Sequence, residues 1–149
     1  MNLLEIIFIS ILPWIELRGA IPLGIASGYN PIFMFFLCTT TDILIVPLIY
    51  VSLQKIVPFF LRIKLIEKLY LWINKRNLES YERYRRLKEL GLVLFVGIPL
   101  PGTGVYSGIL IAYLLNFKKL EAFLFISIGA TIAGILVTLI SVGILGFGI

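Results

Sequence analysis

Apolar positions run almost unbroken from Leu3 to Gly28, and one stretch interrupts them: Pro13-Trp-Ile-Glu16-Leu-Arg18-Gly19-Ala-Ile-Pro22. A proline removes a backbone donor and collides with the preceding turn. Two prolines and a glycine so close together therefore predict a broken helix at residues 13–22. The arm before the break, residues 3–12, is apolar apart from Glu5 and Ser10. As a helix it covers only about 15 Å, half of a bilayer's apolar core of roughly 30 Å. Residues 31–53 form the first full-length apolar run, with Pro31 at the start, where proline is tolerated. Asp42 stands at its centre, and Pro47 is predicted to kink it. The pattern then recurs. Residues 90–96 are a second half-length run, ended by Gly97-Ile-Pro99-Leu-Pro101-Gly102-Thr103-Gly104, and residues 120–147 are a second full-length run.

Small residues repeat in the same way. Ala20, Gly24 and Gly28 are spaced by four, as are Gly104, Gly108 and Ala112, each 84 residues after its counterpart. Such ladders let helix backbones approach closely. The expected fold is all-α integral membrane, with two inverted repeats (residues 1–54 and 90–149). Each repeat is a re-entrant helical hairpin plus a transmembrane helix. Four elements shield two hairpins poorly from lipid, so a homodimer packed partly through the ladders is expected.

Composition supports the membrane assignment: 60% of the residues are hydrophobic and 14% charged, against about half and a quarter in soluble domains. The N-terminus lacks a basic n-region and a small-residue cleavage site, so no cleaved signal peptide is expected. Residues 55–89 hold ten Lys or Arg and four Glu, with Leu61, Leu65, Leu69 and Trp72 on one helical face. That reads as a basic amphipathic segment lying on the membrane surface, and the positive-inside rule makes it cytoplasmic. Fully crossing breaks would put Lys118 and Lys119 outside. Re-entrant breaks leave every Lys and Arg except Arg18 in the cytoplasm, with Met1, Tyr29 and Ile149 outside. The second topology, a multi-pass protein of the plasma membrane, is preferred.

The chain has no histidine and one cysteine, Cys38. Ser-His and Cys-His nucleophile pairs and histidine zinc sites are thereby excluded. No metal, cofactor, enzymatic activity or nucleic-acid partner is expected. The chemistry-bearing residues are instead the charges at membrane depth, which are costly to keep there. Glu16, Arg18 and Asp42 are two acids and one base, so a proton or another cation is expected to make up the difference. Glu16 is the expected titrating group and Arg18 the holder of an anion; the alternative is a structural pair that secures the hairpin tip. The second break offers the backbone of Pro99, Pro101, Gly102, Thr103 and Gly104 and the hydroxyls of Thr103 and Tyr106. Half-helix N-termini favour an anionic group such as phosphate or carboxylate. The two breaks are expected to converge on one midplane cavity, with Asp42 on its wall.

The motifs Glu16-Leu-Arg-Gly-Ala-Ile-Pro22 and Pro99-Leu-Pro-Gly-Thr-Gly-Val-Tyr-Ser-Gly108 resemble those of the small multidrug export protein family. That family looks related to the wider DedA/SNARE-associated membrane superfamily. The likeness covers nearly the whole chain, but Tyr106 stands where the family usually has tryptophan, and Thr41-Asp42 where it often has Gly-Asn. The resemblance implies paired re-entrant hairpins and a small secondary transporter. Together with the residues it leads to proton- or cation-coupled export of an amphiphilic or anionic small molecule. The superfamily implies an alternative, translocation or scrambling of lipid or lipid-phosphate. A non-transporting membrane assembly factor is the alternative of another class. Membrane lipid is an expected partner in each case.

Overall fold

The computed structural model describes residues 1–60 (58–60 by backbone alone), 68, 71–72 and 85–146. The described residues form six named helices: α1 (Leu3–Ile11), α2 (Glu16–Ala26), α3 (Pro31–Phe60), α4 (Arg85–Gly97), α5 (Val105–Leu114) and α6 (Lys119–Leu145). The Asn2 amide donates to Glu5 Oε2 at 2.9 Å and closes the start of α1. The helix stops before Pro13. The break is shorter than the sequence predicts, because α2 resumes at Glu16 and carries both Gly19 and Pro22 within it. A proline deletes one helical bond, here the one to the Arg18 carbonyl, and the neighbouring turns hold α2 together across it.

Gly28 takes a left-handed φ of 91°. It turns the chain, with no atom beyond its immediate neighbours within 4 Å of an added Cβ, so the third rung of the first ladder is a turn and not a packing position. Asn30 then caps α3, its Oδ1 accepting from the Ile32 and Phe33 amides at 2.9 and 3.2 Å. α3 continues through Pro47 and past residue 54, so residues 55–60 belong to it and residues 85–89 belong to α4. Most of the expected amphipathic segment, including Leu61, Leu65 and Leu69, lies outside the described residues. The chain leaves α5 through Asn116, left-handed at φ 59°, a residue type that tolerates this conformation just past a helix C-terminus.

Residues Pro31–Val57 and Lys119–Leu145 are two apolar helices of 27 residues each. Each measures about 40 Å, enough to cross a bilayer. Their outer faces are apolar: Leu44 and Leu48 are 68% and 67% exposed. A soluble protein rarely presents so continuous an apolar surface. Together the exposure and the helix length are compatible with a membrane protein.

The short helices double back. The Tyr29 hydroxyl donates to the Met1 carbonyl at 3.3 Å, closing the open end of the α1–α2 pair. Arg85 meets Glu121 at 2.7 Å, and the Tyr50 hydroxyl donates to the Phe117 carbonyl. The open end of the α4–α5 pair therefore lies beside the later part of α3 and the start of α6. Both short pairs pack on α3 and α6. Their tips meet in the interior, around Leu17, Ile21, Val96, Val105 and Ile109, all fully or almost fully buried.

The small-residue seams are filled by this same chain. A Cβ on Gly24 would strike Met34, one on Gly108 would strike Val96, and one on Gly129 would strike Val96 and the Val93 carbonyl. The ladders are thus internal packing seams and not the free surfaces that a dimer interface through them requires.

Candidate functional site

Glu16 is the first residue of α2 and has a left-handed φ of 51°. Such a conformation is uncommon for a residue with a side chain. Its consequence is geometric. On a regular helix, residues two apart point to different faces, yet here Glu16 Oε2 and Arg18 NH1 meet at 2.6 Å. The same carboxylate reaches the start of α5, accepting from the Val105 amide at 3.1 Å (Oε2) and the Tyr106 amide at 3.3 Å (Oε1). An acid at a helix N-terminus satisfies orphan amides and complements the helix dipole. Gly104 makes this approach possible, because an added Cβ would lie 2.0 Å from Oε2.

Arg18 completes the joint from its other terminal nitrogen. NH2 donates to the Val96 carbonyl at 2.9 Å and the Thr103 carbonyl at 2.8 Å. The first is one of the last carbonyls of α4, the second belongs to the loop before α5. One guanidinium therefore ties the end of α4, the second break and, through Glu16, the start of α5 to the tip of the first hairpin. The Glu16 side chain is 3% exposed and that of Arg18 14%. Removing one partner from so buried a pair costs about 3–5 kcal/mol. Nε of Arg18 is buried without a hydrogen-bond partner.

Asp42 lies behind this joint. It is 2% exposed; its Oδ1 accepts from the Ser10 hydroxyl at 3.0 Å and its Oδ2 from the Leu17 amide at 3.2 Å. It caps the start of α2 between Glu16 and Arg18 and lines neither of the two cavities beside the pair, so it does not stand on a cavity wall as the sequence reading expected.

Those two cavities flank Arg18. The larger, about 560 Å³, is lined by Arg18, Pro22, Leu23, Pro99 and, from α6, chiefly Val137, Ile140 and Ile144. The smaller, about 330 Å³, is lined by Trp14, Glu16, Arg18, Pro101, Gly102, Gly104 and Tyr106, among others. The expected residues of the second break thus divide. Pro99 faces one cavity and Pro101, Gly102, Gly104 and Tyr106 the other. The Thr103 hydroxyl donates to the Ile98 carbonyl at 2.7 Å and shapes the turn. The Tyr106 hydroxyl donates to the Ile11 carbonyl and links the two hairpins.

Sequence reasoning missed two participants. Ser10 was visible as the one hydroxyl in the apolar run of α1, but nothing local pointed it at Asp42. The Val96 carbonyl carries no sequence signal at all; only the end of α4 exposes it. Among the described residues no group of three or more His, Cys, Asp or Glu is placed to hold a metal ion.

A family model described as "Putative small multi-drug export protein" matches residues 16–136, a span that contains both breaks and Asp42. No curated protein and no solved structure matches the chain.

Proposed function

Since the chain belongs to the small multi-drug export protein family, we propose that it is a secondary transporter that moves an amphiphilic or anionic small molecule past the Glu16–Arg18 pair. The observation that carries this reading is that Arg18 walls both cavities. The barrier between them is then a charged contact joining two helix breaks. Irregular backbone at membrane depth is tolerated where it is buried in protein or lines a wet cavity. Half-helix N-termini meeting near the midplane are a recurrent way to build a substrate site.

In this reading each short helix pair is a re-entrant hairpin and each long helix a span, giving two inverted repeats in the plasma membrane with residues 55–89 cytoplasmic. The doubling back of α1–α2 and α4–α5 supports it, as does the placement of Lys118 and Lys119. The larger cavity, beside Ala26 and Leu145, then opens outward. The smaller, which reaches Leu110 on α5, opens inward. Glu16 carries the coupling proton, or meets a coupling cation, and Arg18 holds the anionic group. A homodimer covers the exposed turns at residues 12–15 and 98–102 with a face other than the glycine seams. Translocation of a lipid or lipid-phosphate is the second reading, favoured by the apolar lining of the larger cavity.

Reconstitution into liposomes tests the proposal. A panel of amphiphilic anions and cations is added outside while an internal dye reports proton movement. At least one anion should drive a flux that Arg18→Gln and Glu16→Gln both abolish while the proteins remain folded. Arg18→Lys should also impair it, because an ammonium lacks the planar fork that matches carboxylate and phosphate. Absence of flux across the whole panel would overturn transport in favour of an assembly role.

A further inference from the structure

The Glu16 carboxylate rests in a seat whose parts suit an anion from outside the chain. Three donors converge on it: Arg18 NH1 and the Val105 and Tyr106 amides, at 2.6, 3.1 and 3.3 Å. A guanidinium and the amides of a helix N-terminus are the donors that bind carboxylates and phosphates generally. Gly104 leaves room for oxygen atoms where any Cβ would collide. Glu16 enters this seat only by holding its own backbone at φ 51°.

An independent feature points to a second anion. Arg18 also forms one wall of the larger cavity, where it is the one charged lining residue and its neighbours are chiefly apolar. Its Nε is buried and has no acceptor among the described residues. A guanidinium at one end of an apolar chamber of about 560 Å³ matches a molecule with one anionic head and an apolar tail. A cationic head would meet Arg18 and be repelled.

Building on the transport reading above, we propose that Glu16 is a tethered occupant of the substrate seat. The substrate is a single-headed anionic amphiphile whose carboxylate or phosphate displaces Glu16 from Arg18 and the α5 amides, with its tail in the larger cavity. The displaced carboxylate takes up one proton, so one anion replaces another in the seat and the anion and proton move together. The charged and titratable groups facing Glu16 are Arg18 on its own helix, Asp42 on α3 and Tyr106 on α5. Asp42 lies one residue away, accepting from the Leu17 amide. The Tyr106 hydroxyl is engaged with the Ile11 carbonyl. From α4 the neighbouring group is the Val96 carbonyl on Arg18, and the α6 residues lining the larger cavity are uncharged.

Binding to the full chain in lipid nanodiscs tests this. Trp14 lines the smaller cavity, and with Trp72→Phe it becomes the sole tryptophan reporter. The probes are octyl phosphate, inorganic phosphate and octyltrimethylammonium. In the parent, octyl phosphate should bind more tightly as pH falls, because a proton on Glu16 empties the seat. Glu16→Gly suits the left-handed backbone and removes the tethered competitor. At neutral pH it should bind octyl phosphate roughly tenfold or more tightly than the parent, the gain expected when a local competitor at high effective concentration is removed. Its affinity should no longer follow pH, and adding Arg18→Gln should abolish binding. Should the glycine variant fail to fold, Glu16→Gln is read instead and must show the same loss of pH dependence.

Equal affinity in a folded Glu16→Gly and the parent would overturn the proposal, as would preferential binding of octyltrimethylammonium. Inorganic phosphate binding as tightly as octyl phosphate would overturn the amphiphile assignment. If Arg18-dependent flux persists in liposomes while removal of Glu16 brings no gain in affinity, the tethered-occupant proposal fails and the transport reading stands.

Discussion

The two short helices that follow the breaks, α2 and α5, begin alike and are held differently. Each has a carboxylate on its first amides. Asp42 reaches α2 from α3, the long helix next in the chain, whereas Glu16 reaches α5 from the first hairpin. The long helix that follows α5 offers no such group. Along α6, Gly129 packs on Val96 and Gly134 on Thr39 and Phe35, and no acid follows Glu121. The repeat pattern is therefore symmetric in packing and asymmetric in charge. The first half supplies Glu16, Arg18 and Asp42, and the second half supplies amides, carbonyls and the room made by Gly104. One half carries the charges and the other the backbone groups that meet them.

Gly104→Ala should break this comparison most severely. Its Cβ would lie 2.0 Å from Glu16 Oε2 and 2.2 Å from Oε1, so the carboxylate must leave and Arg18 loses its partner. The expected loss is about 3–5 kcal/mol in chemical denaturation, together with all flux. Gly91→Ala is the control, since among the described residues nothing beyond its chain neighbours and its own helix backbone lies within 4 Å of its added Cβ; a helical glycine so replaced should hold or gain stability by roughly 0.5–1 kcal/mol.

Asp42→Ala should come next, because it strands the Leu17 amide and the Ser10 hydroxyl in the interior. A buried donor without an acceptor costs about 1–3 kcal/mol, and the start of α2 should lose protection in hydrogen exchange while α5 keeps its own. Asp42→Asn retains an acceptor oxygen and should cost clearly less. Equal loss of protection in α2 and α5 would show that the two caps act as one unit. The smallest effect should come from Gly108→Ala, whose Cβ would meet Val96 Cγ2 at 2.5 Å. Overpacking of this kind costs about 1–3 kcal/mol, the lower end where a neighbour can shift. Oligomeric state in detergent should not change, because that seam is filled from within the chain.

The membrane class, the two long helices and the second break were legible because they rest on composition and on prolines that cannot continue a helix. The first break was legible only in outline. Proline stops a helix at Pro13 but not at Pro22, and which of the two prevails depends on tertiary support that a residue string does not display. The pairing of Glu16 with Arg18 was anticipated as possible in a broken segment, but its cause, a left-handed Glu16, leaves no mark in the sequence. Glycine spacing likewise indicated close approach without telling which helix approaches. Gly24, Gly108 and Gly104 prove to meet a methionine, a valine and a carboxylate, three different reasons for the same residue.

The central claim is that the Glu16–Arg18 contact separates two chambers reached from opposite sides of the membrane. With Cys38, buried within α3, replaced by alanine, single cysteines at Leu110 in the smaller cavity and Ile140 in the larger provide the test. Proteoliposomes of uniform orientation are treated with a membrane-impermeant thiol reagent from either face. Leu110→Cys should react from the side of residue 118 and Ile140→Cys from the side of residue 29, and Arg18→Ala should let each react from both. Labelling of both positions from one face in the protein with Arg18 intact would contradict the account.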